Sequence, residues 1–251
     1  MQIQWYPGHM AKARRMLEEN LKLIDVVVEL VDARAPLATR NPDFDALFSQ
    51  KSRVILLNKS DLASAEQTKK WIEYYKAQNI NAIAFVSTSS AKRKAAVSLI
   101  EAAAADKVAK MKEKGVIKTV RAMVVGIPNV GKSTFINRIA GETKAKVGDK
   151  PGVTKGKQWV KVSPYLELMD TPGLLWPKLE NEALAKHLAY IGSINDDIMD
   201  AERLAADLLG ELIAICPNEL KERYKKIEEG MAPHEPVSYT HLRAHETLAN
   251  L

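Results

Sequence analysis

Short runs of aliphatic and β-branched residues recur along the chain between polar, turn-forming segments. Four of them cover residues 25–31, 53–57, 82–86 and 122–125. Their length and composition are typical of strands that are buried on both faces, as the strands of a parallel sheet are. Two further runs, residues 158–162 and 166–169, are joined at Ser163 and Pro164, which predicts a hairpin.

Segments with helical character lie between the predicted strands. The first follows Pro7 and covers residues 8–23, and the alanine- and lysine-rich segment 91–114 is a strong helix former that Gly115 closes. Further helices are predicted at residues 64–78, 134–139, 180–190, 200–215 and 219–228. Pro36 is predicted to end the regular structure after the first strand. The alternation of strands and helices predicts an α/β fold with a mostly parallel sheet and helices on both faces.

Residues 126–133 have the pattern G-x-x-x-x-G-K-[ST], with Gly126, Gly131, Lys132 and Ser133 at its defined positions. The segment lies between a predicted strand and a predicted helix, which is the context that a phosphate-binding loop requires. In such a loop the glycines let backbone N–H groups turn towards the phosphates. The lysine reaches the β- and γ-phosphates, and the hydroxyl ligates Mg²⁺. We therefore predict a nucleotide site here rather than a glycine turn ahead of a helix.

A second motif, N-K-x-D, occupies residues 58–61 at the end of the second predicted strand. The Asp61 carboxylate can accept hydrogen bonds from the N1–H and 2-amino groups of guanine. Adenine offers neither donor and would leave a charged group unpaired, at a cost of at least about 1–3 kcal/mol. Asn58 is predicted to bond the base edge and to brace the phosphate loop, and the Lys59 stem is predicted to cover the ring. Together the two motifs select GTP over ATP.

Three other segments contain polar groups that suit such a site. A backbone N–H of Ser87 or Thr88 is predicted to meet the guanine O6, although Ser/Thr-rich turns also occur without function. Thr154 lies in a Gly-rich loop suited to a switch that orders on the γ-phosphate. Asp170 and Gly173 define D-x-x-G, in which the aspartate holds Mg²⁺ through water and the glycine N–H contacts the γ-phosphate.

These segments define a complete set of candidate site residues. The predicted nucleotide contacts are Asn58, Lys59, Asp61, Ser87, Thr88, Asn129, Val130, Gly131, Lys132, Ser133, Thr134 and Gly173. The predicted Mg²⁺ ligands are Ser133, Thr154 and Asp170, and Lys132 and Thr154 are also predicted to act in catalysis. Asp32, at the end of the first strand, can either face the ligand or cap its loop.

The composition, with 46% hydrophobic and 27% charged residues, is that of an ordinary globular protein. No apolar run approaches the roughly 18 residues that span a bilayer, and residues 1–7 lack the features of a signal peptide. The single cysteine, Cys216, excludes an internal disulfide and fits a reducing compartment. We therefore expect a cytoplasmic protein with no membrane partner.

The net charge of +6 is concentrated in residues 92–121, which contain nine basic and three acidic residues. Such a stretch can be a solvated helix face or an electrostatic footprint for a nucleic-acid backbone, and we favour the second interpretation. The helices predicted beyond residue 180 contain no chemical motif. They indicate a small helical domain whose role can be RNA contact or structure.

The order of the two motifs is unusual, because N-K-x-D precedes the phosphate loop by about seventy residues. In Ras-like proteins the phosphate loop comes first. Joining the termini of a compact domain and cutting the chain elsewhere preserves such a site, since termini often lie close together at the surface. The predicted fold class is therefore a circularly permuted Ras-like P-loop GTPase domain followed by a small α-helical domain.

Three stretches strengthen this interpretation: W-Y-P-G-H-M-A-K-A from Trp5, V-D-A-R-A-P from Val31 and D-T-P-G-L-L-W-P from Asp170. With them the chain, from about Gln4 to Pro236, resembles the ribosome biogenesis GTPase A family. The resemblance implies a monomeric cytoplasmic GTPase that acts late in assembly of the large bacterial ribosomal subunit. It also implies that the subunit precursor, rRNA and ribosomal proteins are partners, and that the subunit stimulates GTP hydrolysis.

The resemblance also implies roles for two further residues. Asn129 would ligate K⁺ beside the phosphates, unless it is only a turn residue. His9 would position the attacking water, because Leu174 stands where Ras-like proteins have a glutamine. The alternatives for His9 are a helix cap or an rRNA contact. The segment 87–89, Ser-Thr-Ser, departs from the S-A-K pattern of GTPases, which leaves its role open.

The expected domain boundaries follow from the motifs. The GTPase domain is expected in residues 1–178 and the helical domain in residues 179–236. Residues 237–251 resemble a translated sequencing adapter and are expected to be foreign. The alternative function is a binding module in which the nucleotide site is structural. An ATPase or a kinase would share the phosphate loop but not the N-K-x-D motif.

Overall fold

The computed structural model describes residues 8–141, 158–176, 181–194 and 201–223. Within them, six strands form one sheet in the order β3-β2-β1-β4-β6-β5. The strands are β1 Val26–Asp32, β2 Ser52–Asn58, β3 Asn81–Ala84, β4 Val120–Val125, β5 Gln158–Ser163 and β6 Leu166–Asp170. All neighbouring pairs are parallel except β5 and β6, which form the predicted antiparallel hairpin.

Helices cover both faces of this sheet, so the predicted α/β fold class is confirmed. The helices of the described segments are α1 Gly8–Asn20, α2 Pro36–Thr39, α3 Asp43–Leu47, α4 Ala65–Ala77, α5 Arg93–Ala103, α6 Ala105–Glu113, α7 Lys132–Ala140, α8 Glu182–Tyr190, α9 Ala201–Ile215 and α10 Pro217–Arg223. Every residue of β1 is buried, as expected for a central strand covered on both sides.

Two predictions of local structure were wrong. The predicted helix 91–114 is two helices, because the chain turns at Ala104, which is buried at the junction between α5 and α6. Pro36 does not end the regular structure but occupies the first turn of α2. Its missing N–H costs nothing there, because the first N–H groups of a helix have no partner inside the helix.

The carboxyl ends of the parallel strands lie along one edge of the sheet. Asp32 ends β1 and is paired in register with Asn58, which ends β2. The chain runs from β1 towards β3 on one side, and β4 lies on the other side of β1. This reversal is a topological switch point, where open α/β sheets bind their ligands. The phosphate-loop motif follows β4 directly and therefore begins at this point.

The chain forms two compact units, Met1–Ile194 and Asn195–Leu251. The division falls later than the expected boundary at residue 178, because α8 packs against α2 in the first unit. In the second unit, α9 and α10 pack against each other. The domain limits, including a foreign tail at residues 237–251, stay a prediction, and that tail lies outside the described residues. None of the helices in the described segments is long and apolar enough to cross a membrane.

Candidate functional site

The loop between β4 and α7 has the backbone conformation that its glycines permit. Gly126 has a φ of 150°, and a Cβ atom there would lie 2.6 Å from the Leu30 carbonyl oxygen. Gly131 has a φ of 100°, and a Cβ atom there would lie 2.5 Å from the Asn58 amide nitrogen. Side chains are therefore excluded at both positions, by backbone strain and by lack of space. The loop lies tightly against β1 and the end of β2.

Lys132 begins α7 and is buried beneath this loop. Its Nζ donates to the Gly126 carbonyl at 3.1 Å and to the Ile127 carbonyl at 2.7 Å. Burial lowers the pKa of Lys132 to about 8, and the nearby Asp170 carboxylate partly opposes that shift. The loop thus curls around an ammonium group that still carries its proton at neutral pH. An anion at the mouth of the loop would find this positive charge in place.

Asn58 connects the end of β2 to the phosphate loop, as predicted. Its Nδ2 donates to the Val130 carbonyl at 2.8 Å across the buried interior of the site. Its Oδ1 accepts from both the N–H (3.0 Å) and the hydroxyl (2.8 Å) of Ser87. One side chain therefore holds three segments together: the end of β2, the phosphate loop and the segment after β3.

Lys59 adopts a left-handed conformation with a φ of 56° and extends across the site. Its Nζ donates to the Asn129 carbonyl at 3.0 Å and lies 3.1 Å from the Asp32 carboxylate. Asp32 is fully buried and also accepts from the N–H and the guanidinium of Arg34. Although burial alone would raise it, pairing with Arg34 and Lys59 holds the pKa of Asp32 below its usual range. Asp32 therefore caps its loop and anchors Lys59.

Asp61 and Thr88 are exposed residues near the opening of this framework. Asp61 follows Lys59 in a short 3-10 turn, Ser60–Leu62, and attracts the Arg34 guanidinium electrostatically. Ser60 ties the turn to the segment after β3, since both its N–H and its hydroxyl donate to the Phe85 carbonyl. The two polar groups predicted to recognise the base are therefore carried by segments that are bonded to each other.

Arg138 is a site residue that the sequence motifs did not indicate. It lies on α7 and donates to the carbonyl groups of Ser87 (3.0 Å) and Thr88 (2.7 Å). These partners are separated from it by about fifty residues of sequence, so no local pattern could have found them. The aromatic pair Phe85 and Phe135 packs edge to face nearby, with ring centroids 5.3 Å apart.

The predicted Mg²⁺ ligands Ser133 and Asp170 lie together. The Ser133 hydroxyl donates to the Asp170 carboxylate at 2.9 Å, which brings the D-x-x-G motif to the start of α7. Thr134 follows in the first turn of α7 and is partly buried. Among the described residues, no group of three or more His, Cys, Asp or Glu side chains could hold a metal ion. One hydroxyl and one carboxylate suit Mg²⁺, which keeps water ligands and takes the rest from phosphates.

The rest of the D-x-x-G segment is held against the phosphate loop. A Cβ atom on Gly173 would lie 2.6 Å from the Pro128 nitrogen, so the two segments touch backbone to backbone. Leu174 is buried, its N–H donates to the Gly126 carbonyl at 3.2 Å, and its carbonyl accepts from Asn41 at 3.1 Å. Leu174 therefore has a packing role and offers no side-chain hydrogen bond.

The predicted roles of Thr154, His9 and Asn129 have different standing in the structure. Thr154 lies outside the described residues. His9 lies in the first turn of α1, and its side chain also lies outside the described residues. Asn129 is described: it has a φ of 57°, and its Nδ2 donates to the Gly192 carbonyl at 2.8 Å. This contact uses the amide nitrogen and leaves the K⁺ role of the amide oxygen a prediction.

The basic stretch 92–121 divides into two groups. In the first group, Lys107 and Lys118 pair with the buried Asp25 carboxylate, Arg121 pairs with Glu167, and Arg93 donates to the Ile139 carbonyl. The pKa of Asp25 lies below its usual range, since these hydrogen bonds outweigh its burial. The other group consists of exposed lysines on or beside α5 and α6: Lys92, Lys94, Lys110, Lys112 and Lys114. Part of the predicted footprint is therefore structural, and part faces solvent.

Comparison with known proteins agrees with this geometry. Residues 121–234 match the family model described as a 50S ribosome-binding GTPase. Ribosome biogenesis GTPase A of Priestia megaterium is 50% identical over 226 residues, which cover 89% of this chain and 78% of that protein. Its counterpart from Thermotoga maritima is 38% identical over 202 residues, which cover 80% of this chain and 70% of that protein.

Solved structures support the same conclusion. The GNP-bound YlqF structure from T. maritima is 32% identical, with a TM-score of 0.56, over 88% of this chain and 78% of that one. A GDP-bound YlqF structure is 29% identical, with a TM-score of 0.57, over 86% of this chain and 87% of that one. The resemblance found in the sequence motifs is confirmed: this chain belongs to the ribosome biogenesis GTPase A family.

Proposed function

We propose that this protein binds and hydrolyses GTP as an assembly factor in late maturation of the bacterial large ribosomal subunit. The observation that carries the proposal is that the Asn58 side chain forms hydrogen bonds both to the phosphate loop and to Ser87. It joins a base-recognition motif and a phosphate-binding motif that lie about seventy residues apart into one site.

Base selection depends on Asp61, which would accept from the N1–H and 2-amino groups of guanine. The Nζ of Lys59 is held by both the Asp32 carboxylate and the Asn129 carbonyl, and we propose that its aliphatic stem supports the ring. A side chain that is already fixed loses little conformational entropy when the base binds. The arrangement therefore favours tight binding of guanine nucleotides.

Phosphate binding would fall to the backbone N–H groups of residues 129–134 and to Lys132. We propose that Ser133 and Asp170 hold Mg²⁺, the aspartate through water, and that Thr154 adds a hydroxyl when its loop closes. The hydroxyl–carboxylate pair at the start of α7 supports this assignment, because both are oxygen ligands of the kind Mg²⁺ prefers. The ion would offset the negative charge that develops on the phosphate oxygens.

The attacking water needs a partner other than the residue after D-x-x-G, since Leu174 is buried and packed. We propose His9 for this task. An imidazole near its ordinary pKa can accept a proton from water or orient it at neutral pH. The position of His9 directly before Met10, which anchors α1 in the core, keeps the residue near the end of a fixed helix.

A monovalent cation is proposed beside the phosphates, with the amide oxygen of Asn129 as one ligand. The amide nitrogen already donates to the Gly192 carbonyl, which fixes the orientation of the side chain. An amide held in this way offers its oxygen at a defined place. K⁺ there would add positive charge near the transferred phosphate, as an arginine finger does in other GTPases.

The ribosomal partner is proposed from the names of the relatives and from the charge of α5 and α6. The exposed lysines on and beside these helices are other residues than Lys107 and Lys118, which pair with Asp25. Contacts of this kind with RNA phosphates release counterions and weaken as salt rises. We propose that this surface contacts rRNA within the subunit precursor, and that the protein works in the cytoplasm as a monomer.

The direct experiment is GTP turnover with and without purified bacterial large subunits. The proposal predicts slow turnover by the protein alone and a rise of at least about tenfold when subunits are added. Lys132→Ala should remove the stimulated rate while leaving the exposed lysines of α5 and α6 unchanged. Subunit binding without any hydrolysis would instead support a binding module with a structural nucleotide site. Failure to bind either subunits or GTP would contradict the proposal as a whole.

A further inference from the structure

Arg138 joins the phosphate-loop helix to the segment that follows β3. Its Nε donates to the Ser87 carbonyl at 3.0 Å and its Nη2 donates to the Thr88 carbonyl at 2.7 Å. A planar guanidinium with two donors on consecutive carbonyl groups fixes a backbone segment more firmly than one flexible donor can. The residue lies outside every motif that defines the site.

The peptide unit that Arg138 holds also carries the Thr88 N–H. In a trans peptide the C=O and N–H groups share one plane and point to opposite sides. Because the Ser87 carbonyl points to Arg138, the Thr88 N–H points away from α7. Donation to the carbonyl also polarises the peptide unit, which makes its N–H a stronger donor.

The neighbouring N–H groups of this segment are engaged within the protein. The Ser87 N–H donates to Asn58 Oδ1 at 3.0 Å, and the Ser89 N–H donates to the Val86 carbonyl at 3.0 Å. Thr88 itself is exposed, whereas Ser87 is buried. Among residues 87–89, the Thr88 N–H is therefore the backbone donor available to a ligand.

We propose that Arg138 is a positioning residue for base recognition, which aims the Thr88 N–H at O6 of a guanine base. The inference rests on the proposed guanine-nucleotide site. O6 is an acceptor, whereas adenine has an amino donor at the same position, so a fixed N–H there accepts guanine and repels adenine. The contact complements Asp61, which would recognise the opposite side of the Watson–Crick edge.

Binding of three diphosphates to the Mg²⁺-loaded full chain, measured by calorimetry, tests the proposal. GDP is the reference, 6-thioguanosine diphosphate weakens the acceptor at position 6, and inosine diphosphate removes the 2-amino group. We expect the parent to prefer GDP to the 6-thio analogue by at least about fivefold. In Arg138→Met this preference should fall below about twofold, while the preference for GDP over inosine diphosphate stays within twofold of the parent.

Arg93 provides the matched control. Its Nε donates to the Ile139 carbonyl at 2.9 Å, so it also links a helix after β3 to α7, but it touches neither Ser87 nor Thr88. Arg93→Met should leave both preferences unchanged. Arg138→Lys keeps the charge and most of the packing but loses the two-pronged contact. It should show part of the same loss, and it carries the test if Arg138→Met does not fold.

Two results would overturn the inference. One is an equal weakening of all three nucleotides in the Arg138 variants, which would reduce the residue to a support of the fold. The other is an unchanged preference for GDP over the 6-thio analogue. A parent protein that binds none of the three nucleotides would refute the proposed function itself, and the inference would fail with it.

Discussion

Lys132 is a buried cation whose surroundings shift its pKa well below the ordinary value for lysine. Its ammonium is buried against two carbonyl groups, and burial lowers its pKa from 10.5 to about 8. The unfolded chain therefore binds more protons than the folded protein between pH 8 and pH 10.5. It follows that this residue makes the folded state more stable as pH rises through that window.

We predict that the nucleotide-free protein gains about 1 to 2 kcal/mol of unfolding free energy relative to Lys132→Met between pH 8 and pH 9.5. Denaturant unfolding of both proteins at the two pH values measures this difference. Lys69→Met, which removes an exposed lysine from α4, should show no such pH dependence relative to the parent. A Lys132 difference that is constant with pH would contradict the effect of burial.

The Asp61 carboxylate is expected to determine which base the site prefers. Asp61→Asn should weaken GTP binding and favour xanthosine triphosphate, because the amide can donate to the oxygen at C2 of xanthine. A change of at least about tenfold in the ratio of the two affinities is expected, since one charged hydrogen bond is exchanged. Competition binding measures the ratio, and Glu66→Gln on α4 serves as a control. An unchanged ratio would remove Asp61 from the base site.

Among the elements, helix α1 contains His9, the residue proposed to position the attacking water. Met10, Ala13 and Leu17 bury one face of this helix, and Arg14 reaches Asp43 of α3 at 2.6 Å, so the helix is fixed to the first unit. His9 precedes Met10 at its start. The proposed catalytic role requires the His9 side chain to reach the phosphates from the first turn of this helix.

His9→Ala is expected to lower subunit-stimulated GTP turnover by at least about tenfold, the lower range for general-base positioning. Nucleotide affinity and subunit binding should stay within twofold, because neither depends on the attacking water. Lys12→Ala, on the same helix and exposed, is the matched control. Turnover within twofold of the parent would contradict a catalytic role. Weakened subunit binding alone would indicate an rRNA contact.

The phosphate loop is hydrogen-bonded to the turn that follows α8. Asn129 binds the Gly192 carbonyl, and Arg34 donates to the neighbouring Ile191 carbonyl at 3.4 Å, so this turn touches the site twice. A cation on Asn129 would be held by the same arrangement. We predict that GTP hydrolysis is at least about tenfold faster in KCl than in NaCl at equal ionic strength.

Asn129→Ala should abolish this advantage of KCl. The variant Asn79→Ala, at another asparagine with positive φ that lies before the start of β3, should retain it. Equal rates of the parent in the two salts would contradict a K⁺ site, and so would an advantage that survives in Asn129→Ala.

The sequence predicts the larger elements because their patterns are complete within a few residues. The β1 segment is a continuous buried run, and the phosphate loop is marked by its own glycines. The helices α2 and α3 have four and five residues, too few for an amphipathic pattern to repeat, and depend on tertiary contacts. Thr39, for example, accepts from the Asp32 N–H at 2.9 Å. The break at Ala104 lies within a run of alanines, which has no periodicity that a break could interrupt.

The candidate site shows the same limit. Its motif residues were predictable because phosphate and guanine chemistry require those residue types at those spacings. Arg138 was not, because its role depends on the packing of α7 against the segment after β3. The role of Asp32 was open for a similar reason, since only the fold brings Lys59 to its carboxylate. Positioning residues are set by tertiary structure and leave no local pattern.

At the scale of the whole molecule, the site joins two halves of one sheet. The half from β1 to β3 supplies the base motif, and the half containing β4 and β6 supplies the phosphate loop and D-x-x-G. They meet at the switch point between β1 and β4. The reversed order of the motifs along the chain therefore has no consequence for the site, because the sheet places the two motifs next to each other. We therefore infer that the two halves of the sheet build one guanine-nucleotide site.

Calorimetric titration of the Mg²⁺-loaded full chain with GDP and with ADP tests whether the chain has such a site. We predict one site per chain that prefers GDP by at least about 100-fold, because a site built to hydrogen-bond a polar group rejects the analogue that lacks it. Equal affinities for GDP and ADP would contradict the account, since the phosphate loop would then act without the N-K-x-D motif.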